Sequence, residues 1–394
     1  MKRFRPTRVV AAIATLFLAS SIASAAAASY DIDVVLPLTG SAAFVGQGQK
    51  DALAALEAHV DKNGGIGGRP LHFVFHDDQT SPQIAVQLTA GILGRGPVIV
   101  TGSSLVAMCL AMAPLMKNGP VHYCLSPGVH PKPGGYMFST SASSTDQIAA
   151  VMRFYRMNGW TRLATLMTTD ASGQDGDRSV QAVLAYPENK TVTKVIAEHF
   201  NPSDVSVAAQ IARIKQSGAQ AIIAWTTGAP VATVLRGMIE NGLDIPVAPT
   251  SGNQTFAAMH QWKPILPKHL VLASALYPPH HGRVTLDPRV EKAQAEMHAV
   301  LKEHGLRADN MVATSWDAGL IAVAGLRKLG PNATAAQLRD YIANLTDFPG
   351  INGIYDFKRY PERGLGPDAS IVTAYDPKTD SWIWLSEPGG APLK

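Results

Sequence analysis

Residues 32–78, IDVVLPLTGSAAFVGQGQKDALAALEAHVDKNGGIGGRPLHFVFHDD, decide the fold. Ile32 to Leu38 is a short apolar run, the pattern of a strand covered on both faces. Gly46 to Lys62 follows with Leu53, Leu56 and Val60 at helical spacing, and Asn63, Gly64 and Gly65 stop it. Leu71 to Phe75 returns to strand and ends in Asp77-Asp78, after which Pro82 suits the first turn of another helix. Buried strands separated by helices belong to a parallel sheet with crossover helices on its faces. The doublets in Gly64-Gly65-Ile66-Gly67-Gly68 precede a strand and read as turn residues.

The same unit continues downstream. Val98 to Thr101 leads through Gly102, Ser103 and Ser104 into a helix closed by Gly119 and Pro120, and Val121 to Leu125 is the next strand. Beyond a loop rich in Ser and Thr, Ser139 to Thr145, lie four more strands: Arg162 to Met167, Thr191 to Ala197, Ala219 to Trp225 and Ile245 to Ala248. Helices led by Asp146, Asp175, Asp204 and Ala229 separate them. A third portion carries a Pro- and His-rich segment, Tyr277 to Arg283, then three helical patterns, Arg289 to His304, Met311 to Leu329 and Ala335 to Leu345. The tail from Gly353 to Leu385 reads as antiparallel strands. The fold class is α/β, with two doubly wound, mostly parallel sheets.

Of the 394 residues, 46% are apolar and 16% charged, which suits a large, well-cored globular chain and excludes disordered, collagen-like and coiled-coil classes. The formal charge of +4 comes from Lys2, Arg3, Arg5 and Arg8; the remainder is neutral. A neutral surface lacks the clustered Lys and Arg that nucleic acid or an acidic membrane requires. Those four charges precede an apolar stretch from Val9 to Leu18 and small residues from Ser20 to Ser29, the make-up of a cleavable signal peptide over residues 1–28. Cleavage is expected after Ala25, Ala27 or Ala28. With no Cys near those sites, the product is expected to be a periplasmic protein rather than a lipoprotein. The two cysteines, Cys109 in an expected helix and Cys124 in the following strand, are either a disulfide or two buried apolar residues.

Catalytic and metal signatures are missing: there is no Gly-x-Ser-x-Gly, no His-Glu-x-x-His, no phosphate-binding loop and no metal-ligand spacing. Neither a metal nor another cofactor is expected, and His280-His281 reads as solvated loop. Gly46-x-Gly48 opens a helix after a strand, but Asp51 occupies the third glycine position, where it would face a pyrophosphate. What remains is a set of loops at strand C-termini, the edge at which open α/β sheets bind ligands. They hold Thr39 to Phe44, Asp77-Asp78, Gly102 to Val106 and Ser126 to His130 in the first set, and Thr168 to Gln174, Thr226 to Pro230 and Thr250 to Gln254 in the second.

Several of these segments resemble one family. Leu36-Pro37-Leu38-Thr39-Gly40, Asn63 to Pro70, Asp77-Asp78, Ser126-Pro127-Gly128 and Asp170 to Gln174 occur in the order found in periplasmic solute-binding proteins of ABC transporters, in the branched-chain amino acid class. The resemblance implies a two-lobed type I clamshell with three interlobe crossovers, near Ser141 to Asp146, Ser274 to Pro279 and Phe348 to Gly353. The implied first lobe is 29–143 plus 277–348 and the second 144–276 plus 349–394. It also implies a monomer that takes a small molecule between its lobes and delivers it to a membrane permease.

Departures from the family pattern bear on the ligand. Val106 stands where amino-acid binders present a serine, Val129 and His130 where they present a threonine, and Ser172 where they carry a tyrosine. Pro249 to Gly252, the stretch expected to supply the carboxylate for an ammonium, has no acid. An α-amino acid would then bury an unpaired ammonium, at a cost of several kcal/mol. A small organic carboxylate with an apolar, aromatic body is expected instead. Ser172 to Asp175 resembles aromatic-acid-binding members of the family. The expected contacts are Phe44, Ser103, Ser104, Val106, Ser126, Val129, His130, Ser172, Trp225, Thr227 and Ser251. Ser103 and Ser104 would open an anion-binding helix, and Phe44, Trp225 and Tyr277 would offer rings for stacking. The alternatives are an amino-acid or amide binder using Asp77 or Asp170 for the ammonium, and a ligand-sensing receptor component.

Overall fold

The computed structural model describes Met1 and residues 28–393; the expected signal peptide, in its residues 2–27, lies outside the described residues. The first sheet takes its strands from β1 (Tyr30–Leu36), β2 (Leu71–Asp77), β3 (Ile99–Gly102), β4 (Val121–Cys124) and β5 (Met137–Ser139), in the order β2-β1-β3-β4-β5. All neighbours are parallel, with Ile32 opposite Phe73 and Val34 opposite Thr101. Helices α1 (Ala43–Lys62), α2 (Pro82–Leu93) and α3 (Val106–Met112) supply the crossovers. The buried side of α1 carries Val45, Gln49, Leu53, Leu56 and Val60, the spacing that one helical face requires. Gly64, at φ 85°, turns the chain away, and a Cβ on Gly65 would meet the Arg69 carbonyl oxygen at 2.0 Å.

The chain then builds α4 (Ser144–Met157), β6 (Arg162–Thr168), α5 (Ala171–Leu184), β7 (Thr193–Phe200), α6 (Ala208–Gln216), β8 (Ala221–Ile223), α7 (Ala229–Glu240), β9 (Val247–Ala248) and α8 (Phe256–Trp262). The second sheet runs β7-β6-β8-β9, again parallel. Ser143 and Asp146 cap α4 reciprocally. Asp170 caps α5 from outside, so Asp175, expected to lead that helix, sits in its second turn and is buried. After β10 (Leu272–Ser274) come α9 (Pro288–Glu303), α10 (Asn310–Leu329) and α11 (Ala335–Ala343). The hairpin β11 (Phe348–Gly350) and β12 (Gly353–Tyr355) follows, then β13 (Ile371–Asp376) and β14 (Ser381–Trp384). β13 pairs antiparallel with both β10 and β14.

Helix α10 returns to the first sheet and packs on α1 closely enough that a Cβ on Gly319 would lie 2.4 Å from Leu56 Cδ2. The expected third crossover is not where the sequence placed it. Residues 348–353, expected to pass between lobes, instead belong to the β11–β12 hairpin on the first lobe. The Tyr355 hydroxyl donates to Asp317 Oδ2 on α10 at 2.9 Å, and the Phe357 ring packs on Phe138 of β5 at 5.9 Å. Arg363, still on this side, donates to the carbonyls of Val129 and Ser141. Tyr355 and Phe357 keep the segment here because they are buried in this core, with Phe348 half-buried against it.

Cys109 and Cys124 are disulfide-bonded, with Cα atoms 6.0 Å apart, tying α3 to β4.

Candidate functional site

Each sheet has a switch point, between β1 and β3 and between β6 and β8, where crossover connections leave in opposite directions and a crevice opens. The loops from the two edges meet. Ala229 N–H donates to the Ser41 carbonyl at 3.4 Å, Asn310 N–H to the Gln254 carbonyl at 3.1 Å, and Phe44 packs edge-on to Trp262 at 6.2 Å. Between them lies a cavity of about 30 Å³, room for roughly two waters. A second cavity of about 210 Å³ adjoins it toward solvent, and Leu105, Val106, Ser172 and Thr227 border both.

Among the expected contacts, Ser104, Val106, Ser126, Ser172, Trp225, Thr227 and Ser251 line the inner cavity. Their loops are braced from behind. Asn253 donates through Nδ2 to the Thr226 and Thr250 carbonyls and accepts from Gly228 N–H at 3.0 Å, joining the loops after β8 and β9. Ser104 Oγ donates to Gln49 Oε1 of α1. Trp225 stands against α5 at Gly176, where a Cβ would lie 2.6 Å from the indole.

The other four expected contacts face elsewhere. Ser103 is turned inward and donates to Asp78 Oδ2 at 2.5 Å. That carboxyl is pushed above its ordinary range by burial, and hydrogen bonds from Ser103 and Thr80 oppose the shift. Val129 packs with Val106 and the disulfide, and Phe44 packs on Trp262. His130 is exposed and donates through Nε2 to Asp175 Oδ1 at 2.7 Å. The helix expected to present N–H groups from Ser103 and Ser104 is α3, which starts at Val106 and has seven residues. Tyr277 is buried in the core rather than exposed for stacking, because residues 270–277 run inside the molecule. Asp77 holds the turn after β1, accepting from Leu38, Thr39 and Gln79 N–H groups, and does not border either cavity. Asp170 borders the outer cavity while capping α5.

The sequence reading did not include Asn310, Met311 and Thr314, which come from the start of α10 and complete the inner wall. Asp309 caps that helix through Met311 and Val312 N–H, and burial raises its carboxyl to about 6. Among the described residues, the inner lining therefore has hydroxyls, one amide and apolar groups, and no ionisable side chain. Arg363 lies behind the Ser126–His130 loop, donating to the Pro127 and Val129 carbonyls. Burial lowers its guanidinium to about 10, against the opposing pull of Asp146 and Asp175.

A cleft assembled from two such sheet edges, closed over a neutral chamber, is the arrangement of a ligand clamp. The family profile described as periplasmic binding protein matches residues 30–373. The chain belongs to the periplasmic binding protein family. Within that family it is 28% identical over 205 residues to the Leu/Ile/Val-binding protein homolog 3 of Brucella melitensis, covering 51% of this chain and 55% of that relative. The chain thus spans about half the length of the curated relatives it matches. Its fold is that of an extracellular ligand-binding receptor from Rhodopseudomonas palustris HaA2, with TM-score 0.77, 16% identity, and coverage of 91% of this chain and 100% of the other. The branched-chain amino acid transporter substrate binding protein LivJ from Streptococcus pneumoniae, solved with isoleucine, has TM-score 0.72 at 14% identity, covering 92% and 97%. This periplasmic binding protein has the two-lobed type I α/β clamshell fold of the family.

Proposed function

We propose that the protein is the extracytoplasmic solute-binding subunit of an ABC uptake transporter, a carrier rather than a catalyst. It captures a small organic carboxylate with an aromatic body and hands it to the membrane permease as a monomer. In the proposed division the first lobe is 29–143 plus 277–366 and the second 144–276 plus 367–394. The observation that carries the ligand class is the lining of the inner cavity, which has no carboxylate. An ammonium closed into it would be buried without a counter-charge, at several kcal/mol. A carboxylate can accept from the Ser126, Ser172 and Ser251 hydroxyls, which point no proton at another protein acceptor. Val45, Val106, Leu125, Trp225 and Met311 supply the apolar walls a ring requires.

With about 30 Å³ inside and 210 Å³ outside, the closed cleft takes a narrow body across the Val106–Ser172 wall only if the lobes part and re-close. Binding is thereby tied to hinge motion. Titration calorimetry against benzoate, hydroxybenzoates, phenylpropenoid acids, leucine and phenylalanine tests the reading. An aromatic acid is expected to bind and the amino acids are not. Tight leucine binding with no response to any aromatic acid overturns it in favour of the amino-acid reading that the curated relative's name suggests.

A further inference from the structure

Asp175 is buried in the lobe interface, yet only one of its carboxylate oxygens has a partner. Oδ1 accepts from His130 Nε2 at 2.7 Å; Oδ2 has no hydrogen-bond donor among the described residues. A buried carboxylate oxygen left without a donor costs about 1–3 kcal/mol or more, so it marks a place where a donor is missing. Its neighbours locate it. A Cβ added to Gly128, which lines the inner cavity, would lie 2.8 Å from Oδ2, 2.6 Å from Val106 Cγ2 and 3.3 Å from Ser144 Oγ, and Val106 and Ser144 line the same cavity. Oδ2 thus sits immediately behind the cavity wall, on the second lobe, one helical turn beyond Ser172 on α5. Residues three apart on a helix share a face at about 5–6 Å.

We propose that Asp175 Oδ2 is a ligand-binding acceptor that takes a hydrogen bond from a hydroxyl of the cargo, making that cargo a hydroxy-substituted aromatic acid. This rests on the solute-binding function proposed above and sharpens its ligand class. The donor is a neutral hydroxyl rather than an ammonium because Asp175 is already surrounded by positive or protonatable groups. His130 is hydrogen-bonded to it, Arg178 Nη2 stands 3.7 Å from Oδ1, and the buried Arg363 acts on it through space. A further cation would enter a site whose negative charge is compensated, whereas an O–H group needs only the free lone pair. Since His130 belongs to the first lobe and Asp175 to the second, the same carboxylate also joins the lobes in the closed form. The ligand hydroxyl would complete that junction.

The two roles separate experimentally. Affinities for benzoate, 3-hydroxybenzoate and 4-hydroxybenzoate are measured by calorimetry on wild type, Asp175→Asn, Asp175→Ala and His130→Gln, with circular dichroism melts confirming that each variant folds. Wild type should bind one hydroxybenzoate at least tenfold more tightly than benzoate. Asp175→Ala should erase that preference to within twofold, Asp175→Asn should keep part of it through its remaining carbonyl oxygen, and His130→Gln should weaken all three acids by a similar factor while preserving it. If wild type binds benzoate and the hydroxybenzoates equally, or if Asp175→Ala weakens all three alike, Asp175 is an interlobe tie only and the proposal is overturned while the aromatic-acid function stands. Binding of leucine with no response to any of the three acids removes both.

Discussion

Gly128 offers the most direct handle on closure. It has no positive φ, so alanine suits its backbone, and the penalty comes from contacts alone. The added methyl would lie 2.6 Å from Val106 Cγ2, 2.8 Å from Asp175 Oδ2 and 3.3 Å from Ser144 Oγ. Carbon atoms in good contact are about 3.5–4.0 Å apart, so Val106 must yield by roughly 1 Å, and the Asp175 oxygen must yield by less. Val106 and Ser144, which stays tied to the Pro127 carbonyl through its N–H, strain the open and closed forms alike; in the proposed lobe division Asp175 lies across the cleft and is met when it shuts. Overpacking of this kind costs about 1–3 kcal/mol, and where Asp175 must yield the cost falls on the closed state. Ligand affinity of Gly128→Ala should therefore drop by about 5- to 150-fold, since about 1.4 kcal/mol is a factor of ten. The unliganded melting temperature should stay within a few degrees of wild type. Calorimetry with the tightest-binding aromatic acid measures the first quantity and scanning calorimetry without ligand the second. An affinity within twofold of wild type would show that the lobes do not close on this contact and refute the reasoning.

Reducing the Cys109–Cys124 disulfide, or replacing both with serine, should destabilise the protein by about 3 kcal/mol, the chain-entropy value for a loop of about 15 residues; identical urea midpoints with and without reductant would contradict this. His122, buried with Nε2 2.5 Å from the Gly102 carbonyl oxygen, is lowered to about 4 by burial. The unfolded chain binds its proton first, so stability is full above about pH 6.5 and lost as pH falls toward 4, by roughly 3 kcal/mol in all. His122→Gln should remove that part of the acid sensitivity, and parallel pH–stability curves for the two proteins would count against it. Protein recovered from the periplasm should begin between Ala26 and Ser29; an intact mass that retains Met1 would contradict the expected processing.

The sheets were legible because buried parallel strands are written as continuous apolar runs and each is followed by a turn and a periodic helix. Ile32 to Leu38 and Leu71 to Phe75 needed no tertiary information. The hairpin at 348–355 was not legible in that way: Phe348 and Tyr355 look alike whether they cross between lobes or fold back, and only the buried Asp317 that accepts the Tyr355 hydroxyl decides it. The same limit applies to Asp175. Its place after Ser172-Gly173-Gln174 suggested a helix start, but Asp170 had already satisfied the first-turn N–H group of Gly173, which left Asp175 free to point across the interface.

For the site, what could be inferred was which loops meet, and what could not was which hydroxyls remain available. Ser103 and Ser104 are adjacent and chemically identical, yet Asp78 takes the first into the core while Gln49 holds the second at the cavity. The wall from α10 was invisible because Asn310 and Met311 open a helix far along the chain, outside any strand-end loop. The lining itself carries no charged side chain among the described residues, so selectivity rests on fit and on the unpartnered Asp175 oxygen just behind the wall. Ser172 and Asp175 lie on one face of a single rigid helix, anchored by Asp170 at its start and packed on Trp225 through Gly176. A ligand that touches both is measured against a fixed spacing. For the proposed aromatic cargo, the second lobe therefore discriminates by the position of a ring substituent.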